Sequence, residues 1–397
     1  MSKKKHSFLS ASGAHRWLAC PASALLEQKF PDTSSEAAAE GTLAHELAEL
    51  KLRHYFHTVD FGRQKYTRAV NKLKKGPLWQ SEMEGYTDDY LEFVKATALA
   101  FESAPSHGIE KRVYFGEYTL ADPKDGNEGY GTADCILIGG GVIHVIDLKY
   151  GKGVPVSAEG NPQLALYALG AYETYKVLYP IERVRLSIVQ PRIAADPSTW
   201  ETSIQELLAW GDYVKGRAEL ARSGAGDFQP GESQCRFCRA RAQCRARADA
   251  NIQLAFETQK KPPLISNEEV GDYLQKGEDI AKWLKDLQDY ALAECLAGRA
   301  VPGWKAVEGR GSREWTDADA AFEHLIASGT PEEMLYEKKP LTLAQVEKLV
   351  GKTEFAKQAG VYVTKKPGKP ALVKETDERE AITNKITAKE AFKEETA

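Results

Sequence analysis

Gly131-Thr-Ala-Asp134-Cys-Ile-Leu-Ile-Gly139-Gly140-Gly141-Val-Ile-His-Val-Ile-Asp147-Leu-Lys149 decides how this chain is read. Apolar residues flank three consecutive glycines, the pattern of a β-hairpin with a tight turn. With Gly140-Gly141 as a two-residue loop, Gly139 pairs with Val142, and Asp134 and Asp147 each lie five residues out from that pair. They then sit opposite each other on one face, with β-carbons about 4.5–5.5 Å apart. Lys149 shares that face through the period-two pleat. Carboxylates this close repel unless something compensates them. A divalent cation between them, with an ammonium alongside, is the natural compensation. Two other readings stand beside this one. One is an exposed hairpin with a solvated Asp–Lys pair. The other is a three-residue loop, which places Asp134 and Asp147 on opposite faces.

The surrounding chain sets the frame. At 397 residues it can bury a large core and form more than one domain. Composition is that of a soluble protein, 42% hydrophobic and 28% charged, with no apolar run long enough to span a membrane. Lys3-Lys4-Lys5 resembles the start of an export signal, but His15 and Arg16 interrupt the stretch that follows. Six cysteines without such a signal imply a reducing, cytoplasmic compartment, where clustered thiols bind metal more often than they form disulfides. A net charge of −4 excludes a uniformly basic nucleic-acid binder, so a polyanion has to be held by a local patch.

Residues 12–28 read as a short helix with Ser12 as N-cap and Cys20-Pro21 as an interruption. Residues 35–57 and 82–103 read as long helices. Strands are expected at about 110–118, 132–138 and 142–149, then a helix at 161–178 and a strand at 183–190. Helix, three strands, helix, strand is a mixed α/β core. A helix at 201–222 precedes a Gly/Pro-rich linker, and a cysteine cluster follows directly. Ser266-Asn-Glu-Glu269 is a capping box opening a helix to about residue 297. Val270, Leu274, Ile280, Leu284, Leu287 and Ala291 on that helix read as a core face. Short segments around Trp304 and Trp315, a helix near 342–350 and a highly charged tail from Lys365 complete the chain. The expected domains are residues 1–260 with the cysteines, a long helix over 261–300, and a small region over 301–397.

Three constellations carry chemistry. Gln163 and Tyr167 lie four apart on the helix after the hairpin, suited to holding a water, a metal-bound carboxylate or a phosphate; Tyr167 equally fits a core position. His45, beside Glu46 and one turn before Glu49, is a candidate ligand oriented by a carboxylate, or else a surface histidine. Cys235, Cys238 and Cys244 form a C-x2-C-x5-C loop, and Cys20 is the candidate fourth thiolate. Four thiolates suit structural Zn2+ or an iron–sulfur cluster, and spacing alone leaves both open. A triplet with one remote cysteine fits a cluster stapling the two ends of a domain. Arg236, Arg239, Arg241 and Arg245, with Arg247 beyond them, interleave the cysteines as a candidate phosphate-backbone contact or a solvated face. Cys135 and Cys295 read as core.

In order, Gly41-x3-His45, Gly131-x2-Asp134, Asp147-Leu-Lys149 and Gln163-x3-Tyr167 resemble the motifs of the PD-(D/E)xK nuclease superfamily, in its RecB-like branch. The split cysteines resemble the iron–sulfur staple of the AddB nuclease subunit and of CRISPR-adaptation exonucleases. The whole chain also resembles an uncharacterised phage and prophage family of such nucleases. That likeness includes Ser12-Gly-Ala-His-Arg-Trp-Leu-Ala-Cys20-Pro21 and Val301-Pro-Gly-Trp304 with Glu308-Gly-Arg310. The resemblance implies a restriction-endonuclease-like core and a metal-dependent DNA exonuclease in phage replication or recombination. It also implies a bacterial host cytoplasm and a single-stranded-DNA-binding or recombination partner.

By the same resemblance His45, Asp134, Asp147 and the Leu148 carbonyl would bind Mg2+ or Mn2+. The ion would orient the scissile phosphate, activate water and stabilise the leaving oxygen. Lys149 would position that water or stabilise charge on phosphorus, and Gln163 and Tyr167 would hold the site or DNA. Glu110 is a further second-shell candidate. Cys20, Cys235, Cys238 and Cys244 would hold [4Fe-4S], with Zn2+ as the alternative. Two competing readings are a nuclease fold retained for DNA binding or scaffolding without catalysis, and a zinc-stapled interaction protein.

Overall fold

Two glycines set the central hairpin. In the computed structural model, which describes residues 7–31, 36–122, 129–256, 266–308, 317–328, 331–336 and 341–363, Gly140 and Gly141 have φ of 53° and 75°. Positive φ at both central positions makes the primed turn whose twist matches a hairpin. Gly139 therefore pairs with Val142 and Cys135 with Ile146, the register read from the sequence.

Around this hairpin the chain runs α1 (Ala14–Ala19), α2 (Ala22–Glu27), α3 (Glu36–Phe56), α4 (Arg63–Leu73) and α5 (Glu82–Leu99). Then come β1 (Ser106–Tyr114), α6 (Gly116–Thr119), β2 (Tyr130–Gly139), β3 (Val142–Leu148), α7 (Pro162–Tyr175), β4 (Arg183–Val189), β5 (Ser198–Ser203) and α8 (Ile204–Ser223). Helices α9 (Glu232–Arg236), α10 (Arg245–Phe256) and α11 (Asn267–Leu296) follow. The five strands lie in sequence order. All neighbours are antiparallel except β3 and β4, which are parallel because α7 carries the chain back across the sheet. Every residue of β3 is buried, as expected of a central strand covered on both faces. On one face α1, α7 and α8 pack over Val113, Ala133, Ile136, Ile143, Val145 and Leu186. On the other, α3 and α5 pack over Cys135, Leu137, Ile146 and Leu148. The fold class is mixed α/β, as expected.

Several local expectations are corrected. Ser12 is no cap; α1 starts after Gly13 without a side-chain cap bond, and Pro21 separates α1 from α2. The first strand ends at Tyr114, and residues 116–119 turn helical. Helix α4 and strand β5 were not expected; β5 reads Ser-Thr-Trp-Glu-Thr-Ser, too polar to look like a core strand, because it is the sheet's edge. Helix α11 does open on the Ser266–Glu269 capping box. However, Val270, Leu274 and Leu284 on its apolar stripe are exposed. Cys135 is core, whereas Cys295 is half-buried with its Sγ donating to the Trp304 carbonyl.

Met1–Val307 forms one compact unit and Glu308–Ala397 a second. In the second, α12 (Ala318–Ala327) is capped by Asp317, and α13 (Leu343–Val350), with a Thr342–Gln345 capping box, packs with α14 (Lys352–Ala359). Trp315, Arg310 and the tail from Lys365 lie outside the described residues. Among the described residues no helix is long and apolar enough to cross a membrane.

His144 on β3 is buried, with Nε2 2.8 Å from the Ser187 hydroxyl, and its Nδ1 has no hydrogen-bond partner among the described residues. Burial, with Arg185 adding to it, pushes its pKa from 6.5 down to about 3. The folded protein thus keeps His144 neutral, while the unfolded chain takes up a proton below pH 6.5. This contribution is present above pH 6.5 and is lost as pH falls toward 3, by about 1.4 kcal/mol per unit. In urea unfolding, His144→Asn is expected to lose about 2 kcal/mol less stability than wild type between about pH 7 and pH 5.

Candidate active site

Regular alternation along β1 and β2 breaks at one place. Val113 and Ile109 are four apart, yet they pack on opposite faces; Ala133 and Cys135, two apart on β2, do the same. Pairing stays in step across the break, with Lys111 opposite Ala133 and Ile109 opposite Cys135. Glu110 therefore lies opposite Asp134, and it adopts φ of 46°, a left-handed conformation that non-glycine residues rarely take. Both acidic residues are turned to the α3 side. There His45, Ala48, Leu52, Tyr90, Glu110, Asp134 and Leu148 line a small cavity.

This break corrects the expected arrangement of the two aspartates. The turn has the predicted register, but the ladder's last pair is Cys135–Ile146. Asp147 stays with the α7 face while Asp134 has been turned to the other. They meet around the end of β3, where Asp134 Oδ2 accepts the Leu148 N–H at 2.8 Å. Asp134 Oδ1 is 3.2 Å from His45 Nδ1. The carboxylate orienting His45 is thus Asp134, and Glu49 pairs instead with Arg53.

One set of ligand atoms, from His45, Glu110 and Asp134, lies within 4.8 Å of one another and could hold a metal ion. A half-buried histidine and two carboxylates suit a hard or borderline divalent cation. Burial lowers the His45 pKa, but the charge and hydrogen bond of Asp134, then the charge of Asp147, outweigh it and raise it to about 9. A proton on His45 therefore supplies the cation these carboxylates attract, and a divalent ion would displace it.

On the α7 face, Asp147 is almost fully buried. Burial raises its pKa, opposed by Lys149 and reinforced by Asp134. Lys149 Nζ lies 2.9 Å from Asp147 Oδ2 without a well-directed hydrogen bond, and donates to Gln163 Oε1 at 2.9 Å. Gln163 Nε2 donates to Asp147 Oδ1 at 3.3 Å and to the Tyr167 hydroxyl at 3.2 Å. Asn161 caps α7 through the backbone N–H groups of Gln163 and Leu164, fixing where Gln163 starts. Burial lowers the Lys149 pKa most, but its contact with Asp147 and the charges of Asp147 and Asp134 together outweigh it and leave it raised, so its ammonium is a hydrogen-bond donor and not a proton acceptor. Gly131 has its own packing reason: a β-carbon there would lie 2.5 Å from the Tyr167 ring. The structure thus brings Asp134, Asp147, Lys149, Gln163, Tyr167 and His45 to one end of the hairpin, and adds Glu110 to His45 and Asp134.

The four cysteines Cys20, Cys235, Cys238 and Cys244 line one small pocket. Backbone N–H groups of Gln229 and Gly231 point at the sulfurs of Cys20 and Cys235 at 3.2 and 3.4 Å. Burial, then the charge of Glu27, pushes the Cys238 thiol up to about 12. The flanking arginines make protein contacts. Arg236 pairs with Glu232 and Arg241 with Asp286; the Arg239 N–H donates to Glu27, and buried Arg247 pairs with Asp279 and Asp286. Of the expected phosphate contacts, Arg245 is exposed. An open groove runs from Lys149 and Gln163 along the α7 N-terminus to Arg236 and the exposed Phe237 of the cysteine loop.

The chain belongs to DUF2800, a family described as proteins of unknown function, whose model matches residues 6–380. Among solved structures it is similar to SSO0001, at 15% identity over 51% of this chain and 85% of that one, with a TM-score of 0.23. It is also similar to a "Putative exonuclease" from Eubacterium rectale, at 11% identity over 66% of this chain and 92% of that one, with a TM-score of 0.29.

Glu110 in a left-handed conformation is strain held against a carboxylate's usefulness. Glu110→Gly is expected to raise stability by about 1 kcal/mol, the left-handed penalty of a non-glycine residue, while weakening Mn2+ binding at least about tenfold, or 1.4 kcal/mol. Glu110→Gln should weaken Mn2+ binding without the stability gain. Calorimetric titration and chemical unfolding measure both; an unchanged Mn2+ affinity in the two variants removes Glu110 from the ligand set.

Proposed function

We propose that this protein is a metal-dependent DNA exonuclease that hydrolyses phosphodiester bonds. The observation that carries the reading is the junction of two half-sites at one hairpin end: the His45–Glu110–Asp134 group and the Asp147–Lys149–Gln163–Tyr167 chain. A non-catalytic binding module gains nothing from burying an aspartate beside a second carboxylate and a lysine, since each buried charge costs stability unless it is compensated.

His45, Glu110 and Asp134 would hold Mg2+ or Mn2+, with Asp147 and the Leu148 carbonyl adjacent. When bound, such an ion polarises a phosphoryl oxygen and lowers the pKa of water. Lys149, kept protonated, donates toward the attacking water or toward charge developing on phosphorus. Gln163 holds Lys149 and Asp147 at a fixed separation through one amide, and Tyr167 fixes that amide in turn. The groove from Lys149 toward Phe237 is the path we assign to the nucleic-acid strand.

The cysteine pocket is proposed to hold a [4Fe-4S] cluster. The four thiols line one pocket as a loop triplet with one remote partner, a split that supports the larger group over Zn2+. A role in phage or prophage replication or recombination, in the bacterial cytoplasm and beside a single-stranded-DNA-binding partner, belongs to the same proposal.

With Mg2+ or Mn2+, end-labelled linear DNA is expected to be degraded and closed circles spared. Asp147→Ala and Lys149→Ala should each lower the rate at least about 100-fold, with circular dichroism unchanged. Equal activity in the variants sinks the site assignment, and preference for circles sinks the exonuclease reading. Protein purified without oxygen is expected to be brown, with visible absorption that Cys20→Ser and Cys244→Ser remove; a colourless zinc protein would overturn the cluster.

A further inference from the structure

Helix α4 carries the densest charge of one sign in the described chain. Residues 63–75 read Arg-Gln-Lys-Tyr-Thr-Arg-Ala-Val-Asn-Lys-Leu-Lys-Lys, six basic residues and no acidic one, in a chain whose net charge is −4. At about 100° per residue, Lys65, Arg68 and Lys72 fall in one sector about 60° wide, and Lys75, in the turn after the helix, lines the same groove. Tyr66, Val70 and Leu73 form the opposite face, and they pack with Ala44, Leu47 and Tyr150. All four basic side chains are exposed, and they line one open groove with Gln64, Thr67 and Asn71.

Many of the arginines elsewhere have carboxylate partners. Arg192 pairs with Glu40 and Glu82, Arg183 and Arg185 with Glu201, and Arg16 with Glu27. Among the described residues Lys65, Arg68, Lys72 and Lys75 have no ion pair, while Lys74, just off the stripe, pairs with Glu84. A helix that repeats like charge at three- and four-residue spacing without acids leaves a repulsion that a bound polyanion would relieve.

We propose that this outer face of α4 binds the sugar-phosphate backbone of DNA, a contact separate from the residues that cut it. From Lys65 to Lys75 the stripe runs about 15 Å, the length over which one strand of B-form DNA presents about four phosphates. The neutral members of the groove, Gln64, Thr67 and Asn71, are side chains that hydrogen-bond phosphate oxygens without reading bases. A bilayer surface is a poorer match: the apolar face needed for insertion is already packed against α3. The same cluster that seats Val70 contains the neighbours of His45 and of Lys149 in sequence, so DNA held on α4 is anchored to the packing that places the cutting residues. The choice of DNA as the polyanion rests on the nuclease reading above; the existence of a phosphate-binding stripe does not.

The test is fluorescence anisotropy with a labelled 30-nucleotide DNA and its duplex in EDTA, so that no cleavage is required. Full-length wild type is compared with the fourfold variant Lys65→Gln, Arg68→Gln, Lys72→Gln and Lys75→Gln. A control carries the same charge change at Lys95, Lys176, Lys215 and Lys285, all on or beside other helices. The slope of log affinity against log salt is expected to fall by about 3 in the α4 variant and to stay unchanged in the control. Raising salt from about 50 to 200 mM should then weaken wild type about 60-fold more than the variant. An unchanged slope, no DNA binding by wild type, or tighter binding to anionic vesicles or polyglutamate than to DNA overturns the proposal. A wild type that binds DNA with this slope but never cleaves it removes the nuclease reading and leaves the stripe standing. Cleavage with an unaltered slope in the variant does the reverse.

Discussion

One carboxylate joins the two layers of the candidate site. Asp134 receives the Leu148 backbone N–H on one oxygen and faces His45 with the other. The first contact ties the middle of β2 to the end of β3 beyond their last ladder pair; the second ties both to α3. A buried N–H at a strand end needs a partner, and a half-buried imidazole raised to about 9 needs negative charge nearby. Asp134 meets both needs from one position. Everything around it follows: the pleat must break for a β2 side chain to turn to the α3 side, and Glu110, opposite Asp134, takes the strained backbone that makes the break.

The cysteine region is held together before any metal is considered. Arg16 donates to buried Glu27, Glu27 accepts from the Arg239 N–H, and Arg16 also reaches the Phe237 carbonyl. Arg217 on α8 donates to the carbonyls of Leu18 and Ala19, which α1 leaves open at its end. Cys20 thus meets Cys235, Cys238 and Cys244 across more than 200 residues through charge-assisted hydrogen bonds. This explains why the arginines between the cysteines are not simply a basic surface. Their density in sequence reflects how many carboxylates and carbonyls converge on this loop.

Much of the core was legible in the residues. The two-glycine turn fixed the hairpin register, because φ above zero at Gly140 and Gly141 selects one loop length. Apolar runs gave β3 and β4, and helical spacing gave α3, α5 and α7. What failed did so for identifiable reasons. Strand β5 is polar because it is an edge, and α11 is amphipathic without a buried face among the described residues. Helix α4 announces itself only through Tyr66, Val70 and Leu73, three positions easily lost among basic residues.

The sequence by itself singled out the candidate residues and their order: His45, Asp134, Asp147, Lys149, Gln163, Tyr167 and four cysteines. It did so because turn glycines, strand alternation and thiol spacing are local rules. Only the tertiary structure decided which face each acid occupies. The break at Glu110 and Asp134 reverses the pleat in two strands at once, which no periodicity reveals, since the groups that meet the turned carboxylate, His45 and the Leu148 N–H, lie on other elements. Tertiary structure also decided which positive charges are neutralised within the fold, because the partners of Arg239, Arg241 and Arg247 lie on segments tens or hundreds of residues away.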